Sequence, residues 1–246
     1  MISNEFIITL PSFMDSEAVT KRWVLSHIAS VFDPCGYICP ALLSAKALQS
    51  KIWANETKSK WDDPISESLK SEFLKIVSEW TGIEFKFPRK NISSNISEGT
   101  RIQIHGFSDA LQIGLGIAIY VRAINQKIIE SSLIFARSLV VPSELKPKPT
   151  KSGVIREVSI SRPRLELQAT KLLAKTTSQI AKFLEIKIES INLWTDSSSV
   201  IQWLKNKENK DVFVRNRTPI IREYRVRHVS GEENPANVDP VNAYGK

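Results

Sequence analysis

Asp196 is the first residue whose setting suggests chemistry. It closes the apolar run Ile191-Asn192-Leu193-Trp194-Thr195, and Ser197-Ser198-Ser199, good helix-starting residues, follow at once ahead of Val200, Ile201, Trp203 and Leu204. An acid where a strand passes into a helix occupies the usual place for a ligand or metal ion in an α/β sheet, and it is expected to stay out of the core. Asp109, in Gln103-Ile104-His105-Gly106-Phe107-Ser108-Asp109, ends a second alternating segment. Glu166 lies in Ser161-Arg162-Pro163-Arg164-Leu165-Glu166-Leu167, where Pro163 suits a first helical turn and Leu165, Ala169, Leu172 and Leu173 supply a helical stripe. A first-turn acid between apolar neighbours is costly unless something positive meets it. Taken singly, each acid reads better as a cap or a surface carboxylate. Together, on different elements, they suggest a divalent-cation site with the oxygen ligands that suit magnesium or manganese.

The elements that would hold these acids can be read from the chain order. Three strands are predicted over 101–107, 115–121 and 132–140, with Gly114 and Gly116 marking a turn or close approach; their short connections suggest an antiparallel meander. A helix over 164–184, the strand ending at Asp196, a helix over 198–205, a segment over 213–223 and a strand over 224–229 complete an α/β pattern. Upstream, Phe6-Ile7-Ile8 reads as a strand that needs a partner from elsewhere. Helices are expected around Val19, Trp23, Val24 and Ile28 with Asp15 or Ser16 as cap, over 41–54, and over 66–80, where Asp62 or Asp63 would cap. Asp33-Pro34 and Gly36 punctuate a turn. The residues over 91–100 have the composition of a linker, and those over 142–159, with three prolines, that of an exposed loop. The expected division is a helical unit over 1–98 and an α/β unit over 99–246.

Charge follows the same division. Up to Glu98 there are 11 Lys and Arg against 12 Asp and Glu, a net −1; from Gly99 onward there are 23 against 14, a net +9. A basic excess confined to one part is the footprint expected of a nucleic-acid-binding domain, with a solvated basic surface as the plainer alternative. No apolar run approaches a membrane span and the first ten residues lack the form of a secretion signal, so an intracellular protein with no membrane partner is expected. Cys35 and Cys39 are too few for a disulfide framework and lack zinc spacing; they read as packed thiols.

Four strings in order, Phe107-Ser108-Asp109-Ala110, Pro163-Arg164-Leu165-Glu166-Leu167, Trp194-Thr195-Asp196-Ser197 and His228-Val229-Ser230-Gly231-Glu232-Glu233-Asn234-Pro235-Ala236, resemble the ribonuclease H-like domain of Pao/BEL-type retrotransposon polyproteins. The upstream Val31-Phe32-Asp33-Pro34-Cys35-Gly36 with Trp61-Asp62-Asp63-Pro64 looks like the segment linking reverse transcriptase to that domain. The resemblance implies a ribonuclease H-like mixed sheet preceded by a smaller helical domain. It also implies metal-dependent hydrolysis of the RNA strand of RNA–DNA hybrids, and partnership with a reverse transcriptase region of the same polyprotein. By resemblance Asp109, Glu166 and Asp196 match the metal-binding acids, with Mg2+ or Mn2+ as the ions. Two ions about 4 Å apart would activate a water and stabilise the leaving oxygen.

The fourth metal position departs from that pattern, because Asn237 stands where the family carries an acid and Asp239 follows two residues later. A neutral amide oxygen is the weaker ligand for a hard cation, so the second ion is expected to be held weakly, and a weakened or inactive binding module is the alternative reading. His228 matches a histidine that would pass protons near the scissile phosphate, or else it is a strand-end residue with a structural hydrogen bond. Candidate phosphate contacts are Arg137, Arg162, Arg164, Arg215 and Arg217. Trp203 could stack on a base, but its place on an apolar helix face favours core packing. Polymerase, aspartic-protease and integrase signatures are absent.

Overall fold

The computed structural model describes residues 4–12, 18–90, 92, 99–126, 128–141 and 160–237. The first strand, β1 (Glu5–Thr9), finds its partner in β2 (Glu84–Pro88), antiparallel, with Ile7 opposite Lys86. Sequence reasoning assigned no strand over 84–88, because five residues of one alternating run beside a linker give too short a period to separate from loop. Between these strands lie α1 (Lys21–Ala29), α2 (Cys39–Asn55) and α3 (Glu67–Ser78). Ile8, Leu10, Val24, Leu48, Ile52, Phe73, Val77 and Trp80 bury their side chains in one cluster.

The helix starts differ from expectation in instructive ways. Thr20 caps α1, its Oγ1 accepting the Trp23 N–H at 3.1 Å; Asp15 and Ser16 lie outside the described residues. Asp62 and Asp63 do not cap α3, whose N-cap is Ser66 without a side-chain bond. Asp63 instead accepts the Lys60 N–H at 2.7 Å, and Asp62 takes the Arg22 guanidinium in two bonds of 2.6 and 3.0 Å. Aspartate favours any site that offers a spare donor, and a tight turn before the helix offered one first.

The remaining strands are β3 (Arg101–Ala110), β4 (Gly114–Asn125) and β5 (Ile128–Val140), followed by α4 (Arg162–Phe183), β6 (Ile188–Thr195), α5 (Ser198–Lys205), α6 (Val212–Arg215), α7 (Thr218–Ile221) and β7 (Arg225–His228). They form one mixed sheet in the order β5-β4-β3-β6-β7, antiparallel through the first three strands and parallel from β3 to β6 to β7. This is the expected meander followed by strand–helix units. The loop expected over 142–159 lies outside the described residues, as does most of the 91–100 linker.

Alternation sets the two faces of β3. Ile104, Gly106 and Ser108 face α4, with Ile117, Ile119, Leu167, Leu173 and Leu193 completing that core. Gly106 allows the close approach: a Cβ there would stand 2.7 Å from Leu173 Cδ1 and 3.1 Å from Leu193 Cδ2. Burial of such side chains stabilises by roughly 1.5–3 kcal/mol each. Trp203 packs against this cluster, as expected. On the other face, Ala118, Ala136, Cys39 and Ala236 cluster with Phe107 and Tyr120.

The turn 33–36 joins the first core to the edge strand. The Cys35 carbonyl accepts the Ala136 N–H at 2.8 Å, and Ser138 Oγ donates to the Cys39 carbonyl at 2.9 Å. Burial pushes the Cys39 thiol up to about 11, so it is a packed and unreactive group. A cleft of about 610 Å³ lies between α2 and β5, lined among others by Ile28, Asp33, Leu42, Lys46 and Arg137. Among the described residues, no helix is long and apolar enough to cross a membrane.

Candidate active site

Two of the acids meet because two strands run parallel. Ser108 is in register with Thr195, so the next residues, Asp109 and Asp196, leave the pair side by side at the C-terminal ends of β3 and β6. Neighbouring strands lie about 4.8 Å apart. Asp109 is 4% exposed. Asp196 sits in the strand-to-helix corner, fixed on its C-terminal side by Ser197, whose Oγ accepts the Val200 N–H at 3.2 Å as the cap of α5. Thr195 Oγ1 accepts the Ser197 N–H at 3.3 Å. Asp196 is only half-buried, but its Oδ1 is inaccessible and accepts no hydrogen bond. The expectation that this acid would stay out of the core therefore holds for one oxygen and fails for the other.

Glu166 reaches the same end of the sheet from above it. α4 runs antiparallel to β3, its Thr170 Oγ1 lying 3.1 Å from Ser108 Oγ and donating to the Glu166 carbonyl at 2.9 Å. One turn before Thr170, Glu166 is 9% exposed. The positive group it needs is Arg162, whose Nε donates to Glu166 Oε1 at 3.1 Å. Among the described residues, no three His, Cys, Asp or Glu side chains converge as a ready-made ion site. The acids share one end of the sheet, with Glu166 turned to an arginine.

The chain after β7 folds over the same edge. Asn234, nearly buried, donates from Nδ2 to the Ser108 carbonyl at 3.0 Å and accepts the Ala236 N–H at 3.1 Å. The Asn237 N–H then bonds to the Asn234 carbonyl at 3.0 Å. A Cβ at Gly231 would stand 3.4 Å from Asp196 Oδ2, so this segment borders the site on that side too. His228 is exposed at the end of β7, paired with Thr195, and its Nε2 lies 3.1 Å from the Asp196 carbonyl oxygen. Asp239 lies outside the described residues.

The five arginines separate into three groups. Arg162 stands at the carboxylates. Arg164 pairs with Asp211 at 2.8 Å and lies 5.1 Å from the Phe213 ring centroid, while Arg217 stacks on the same ring at 3.5 Å and donates to the Phe213 carbonyl at 3.1 Å. Arg164 in turn holds the Asp211 carboxyl below its usual range. Arg215 is exposed at the end of α6 beside them. Lys171 lies on the adjoining face of α4; partial burial first, then Lys175 and Arg217, lower its pKa. Arg137 stands apart on β5, in the same cross-strand row as Ile117 and Ser108 but exposed and lining the α2 cleft.

A sequence profile described as the Pao retrotransposon-like RNaseH-like domain matches residues 20–197. The chain belongs to that family. Its mixed sheet is therefore the ribonuclease H-like sheet, and Asp109, Glu166 and Asp196 all fall within the matched span. No curated protein matches the chain. Among solved structures, ribonuclease H1 of the halophilic archaeon Halobacterium salinarum is similar at 12% identity and a TM-score of 0.33, over 55% of this chain and 90% of that one. The N-terminal ribonuclease H domain of a Mycobacterium tuberculosis protein gives 9%, 0.34, 59% and 96% in the same order. A foamy viral protease-reverse transcriptase in complex with double-stranded DNA gives 11%, 0.37, 86% and 35%. All three likenesses are loose.

Sequence reasoning missed two residues that organise the structure around these side chains in the Pao-like domain. Asn234 entered only as part of a family string, although a buried amide beside Pro235 is a recognisable turn-forming signal. Phe213, which gathers Arg164 and Arg217, carried no signal, since nothing in spacing shows which ring two arginines will share.

Proposed function

We propose that this domain hydrolyses the RNA strand of RNA–DNA hybrids with Mg2+ or Mn2+, as a part of a retrotransposon polyprotein that also supplies reverse transcriptase. The observation that carries the reading is the buried, unaccepting Oδ1 of Asp196 beside Asp109, with Glu166 at the same strand ends. A buried carboxylate oxygen without a donor is costly, and a cation is the partner that would make it favourable. The residues fit such an ion: hard oxygen ligands from Asp109, Glu166 and Asp196, with Asn237 or Asp239 for a second. A bound divalent ion would activate water and stabilise the leaving oxygen. The chain's own groups would do the rest: Arg164, Arg215 and Arg217 would hold phosphates of the hybrid, and His228 would accept or return a proton at the rim. A wide minor groove lined with 2′-hydroxyls would mark the RNA strand as the one cut. The unit over 1–98 is proposed as the connection to the polymerase, and the site of action as intracellular.

Asn237 favours a second reading, a module that binds hybrid without cutting. The two are separated by following cleavage of a labelled hybrid against metal concentration in wild type and Asn237→Asp. The hydrolase reading expects cleavage, stronger in Mn2+ than in Mg2+, and a gain at low Mg2+ in the variant, where a carboxylate is restored beside the weaker ion. No cleavage by either well-folded protein, with hybrid still bound, would establish the binding module.

A further inference from the structure

We propose that Arg162 is a displaceable internal cation. It neutralises Glu166 while no divalent ion is there, and it is released to a phosphate of the hybrid when an ion takes the carboxylate. This rests on the reading of Glu166 as an ion ligand. The pair is asymmetric: the Glu166 side chain is 11% exposed and the Arg162 side chain 57%. Glu166 is held by its helix and by the Thr170–Ser108 contact next to it, so the arginine is the half free to leave.

Three features make the Arg162–Glu166 attachment weak. Arg162 is the first residue of α4, where the positive end of the helix dipole repels a cation. Glu166, expected from the sequence in the first turn, falls just beyond it because the helix starts at Arg162, so no acidic residue lies in the first turn to offset that repulsion. The two residues are spaced i,i+4 with the base preceding the acid, the less favourable of the two orders. A divalent ion at Glu166 would add direct repulsion of the guanidinium, which faces solvent at the mouth of the site. Because ion and guanidinium compete for one carboxylate while guanidinium and hybrid favour each other, ion binding and hybrid binding become reciprocally coupled.

The test titrates manganese chloride calorimetrically into the full chain as wild type, Arg162→Gln, Arg162→Lys and Glu166→Gln. Hybrid binding is followed by anisotropy with a 2′-O-methyl RNA–DNA duplex, with and without manganese. Arg162→Gln is expected to bind manganese about two- to fivefold tighter, the factor that a half-exposed ion pair represents. Arg162→Lys, which keeps the charge, should stay near wild type. Manganese should tighten the duplex more for wild type than for Arg162→Gln. Looser manganese binding in Arg162→Gln would mean that the arginine only supports the site, and would overturn the proposal. Equal affinity in wild type and Arg162→Gln, with binding lost in Glu166→Gln, would overturn the latch and leave the ion site standing. No manganese bound by folded wild type would overturn the ion-site reading and the latch with it.

Discussion

At the residue scale, the acids were legible and their environments were not. Asp109 and Asp196 close apolar runs and Glu166 stands between leucines near a helix start, and it was the three together, not any one of them, that drew attention. The sequence also required a positive partner for Glu166, which Arg162 supplies. What stayed hidden was that one oxygen of Asp196, Oδ1, is closed off from water, since that depends on the folded surroundings of the strand end. That oxygen leads to a prediction that separates function from stability. Asp196→Asn should reduce hybrid cleavage by on the order of 10²–10³, the scale at which losing one electrostatic group is felt. In EDTA the same variant should melt above wild type, because a neutral amide replaces a buried charge; in a chain of this size each kcal/mol recovered raises Tm by about 2–4 °C. Manganese should then raise the Tm of wild type and leave the variant unmoved. Melting curves in EDTA and in manganese check this, and a variant that melts lower in EDTA would show that the Asp196 carboxylate is satisfied without an ion.

At the element scale, segments with a clear start signal or an apolar run read well and those without one did not. The α5 helix was legible to the residue, because Ser197-Ser198-Ser199 start it and Lys205 ends its apolar stripe. The strands of the meander run longer than the apolar signal alone showed, since pairing carries β4 through Arg122 to Ile124 beside β3 and to Asn125 beside β5. The strand β2, with only five residues, had too little period to read. Gly36 was visible as a turn residue, but the reason for it is tertiary. Its φ is +75°, and a Cβ there would fall 1.8 Å from the Ala136 carbonyl oxygen. Gly36→Ala should therefore cost more than the ~1 kcal/mol of conformational strain alone, because the turn must also withdraw from β5. The expected result is a Tm several degrees lower and faster hydrogen exchange at the Ala136 amide, which donates to Cys35. Unchanged exchange at Ala136 would mean that this turn does not hold the first core to the sheet.

At the scale of the whole molecule, the division of charge was legible, with the basic excess confined to the part that carries the sheet, whereas the gathering of Arg164 and Arg217 on Phe213 needed three elements in place. The pH dependence of stability was illegible for the same reason, because it depends on which histidines fold inward. His27 stacks between Trp23 at 4.8 Å and Trp80 at 5.9 Å, and its buried Nε2 has no hydrogen-bond partner. Burial lowers its pKa from the ordinary 6.5. His105 accepts the Trp194 indole N–H on Nδ1 at 3.3 Å and stacks on the same ring; burial, then Arg122 and Arg227, lower its pKa also. Both groups hold fewer protons folded than unfolded once the pH falls below 6.5, so the slope of stability against pH is positive there. Stability should be complete above about pH 6.5 and should decline as the pH falls through and below it, since 6.5 is the value at which the unfolded chain begins to take up the protons. Thermal melts between pH 7.5 and 5.5 measure the effect, and His27→Leu, which keeps an apolar group between the two tryptophans, should flatten the curve by removing one of the two contributions. A wild-type Tm that rises on acidification would show that neither histidine is held neutral by the fold.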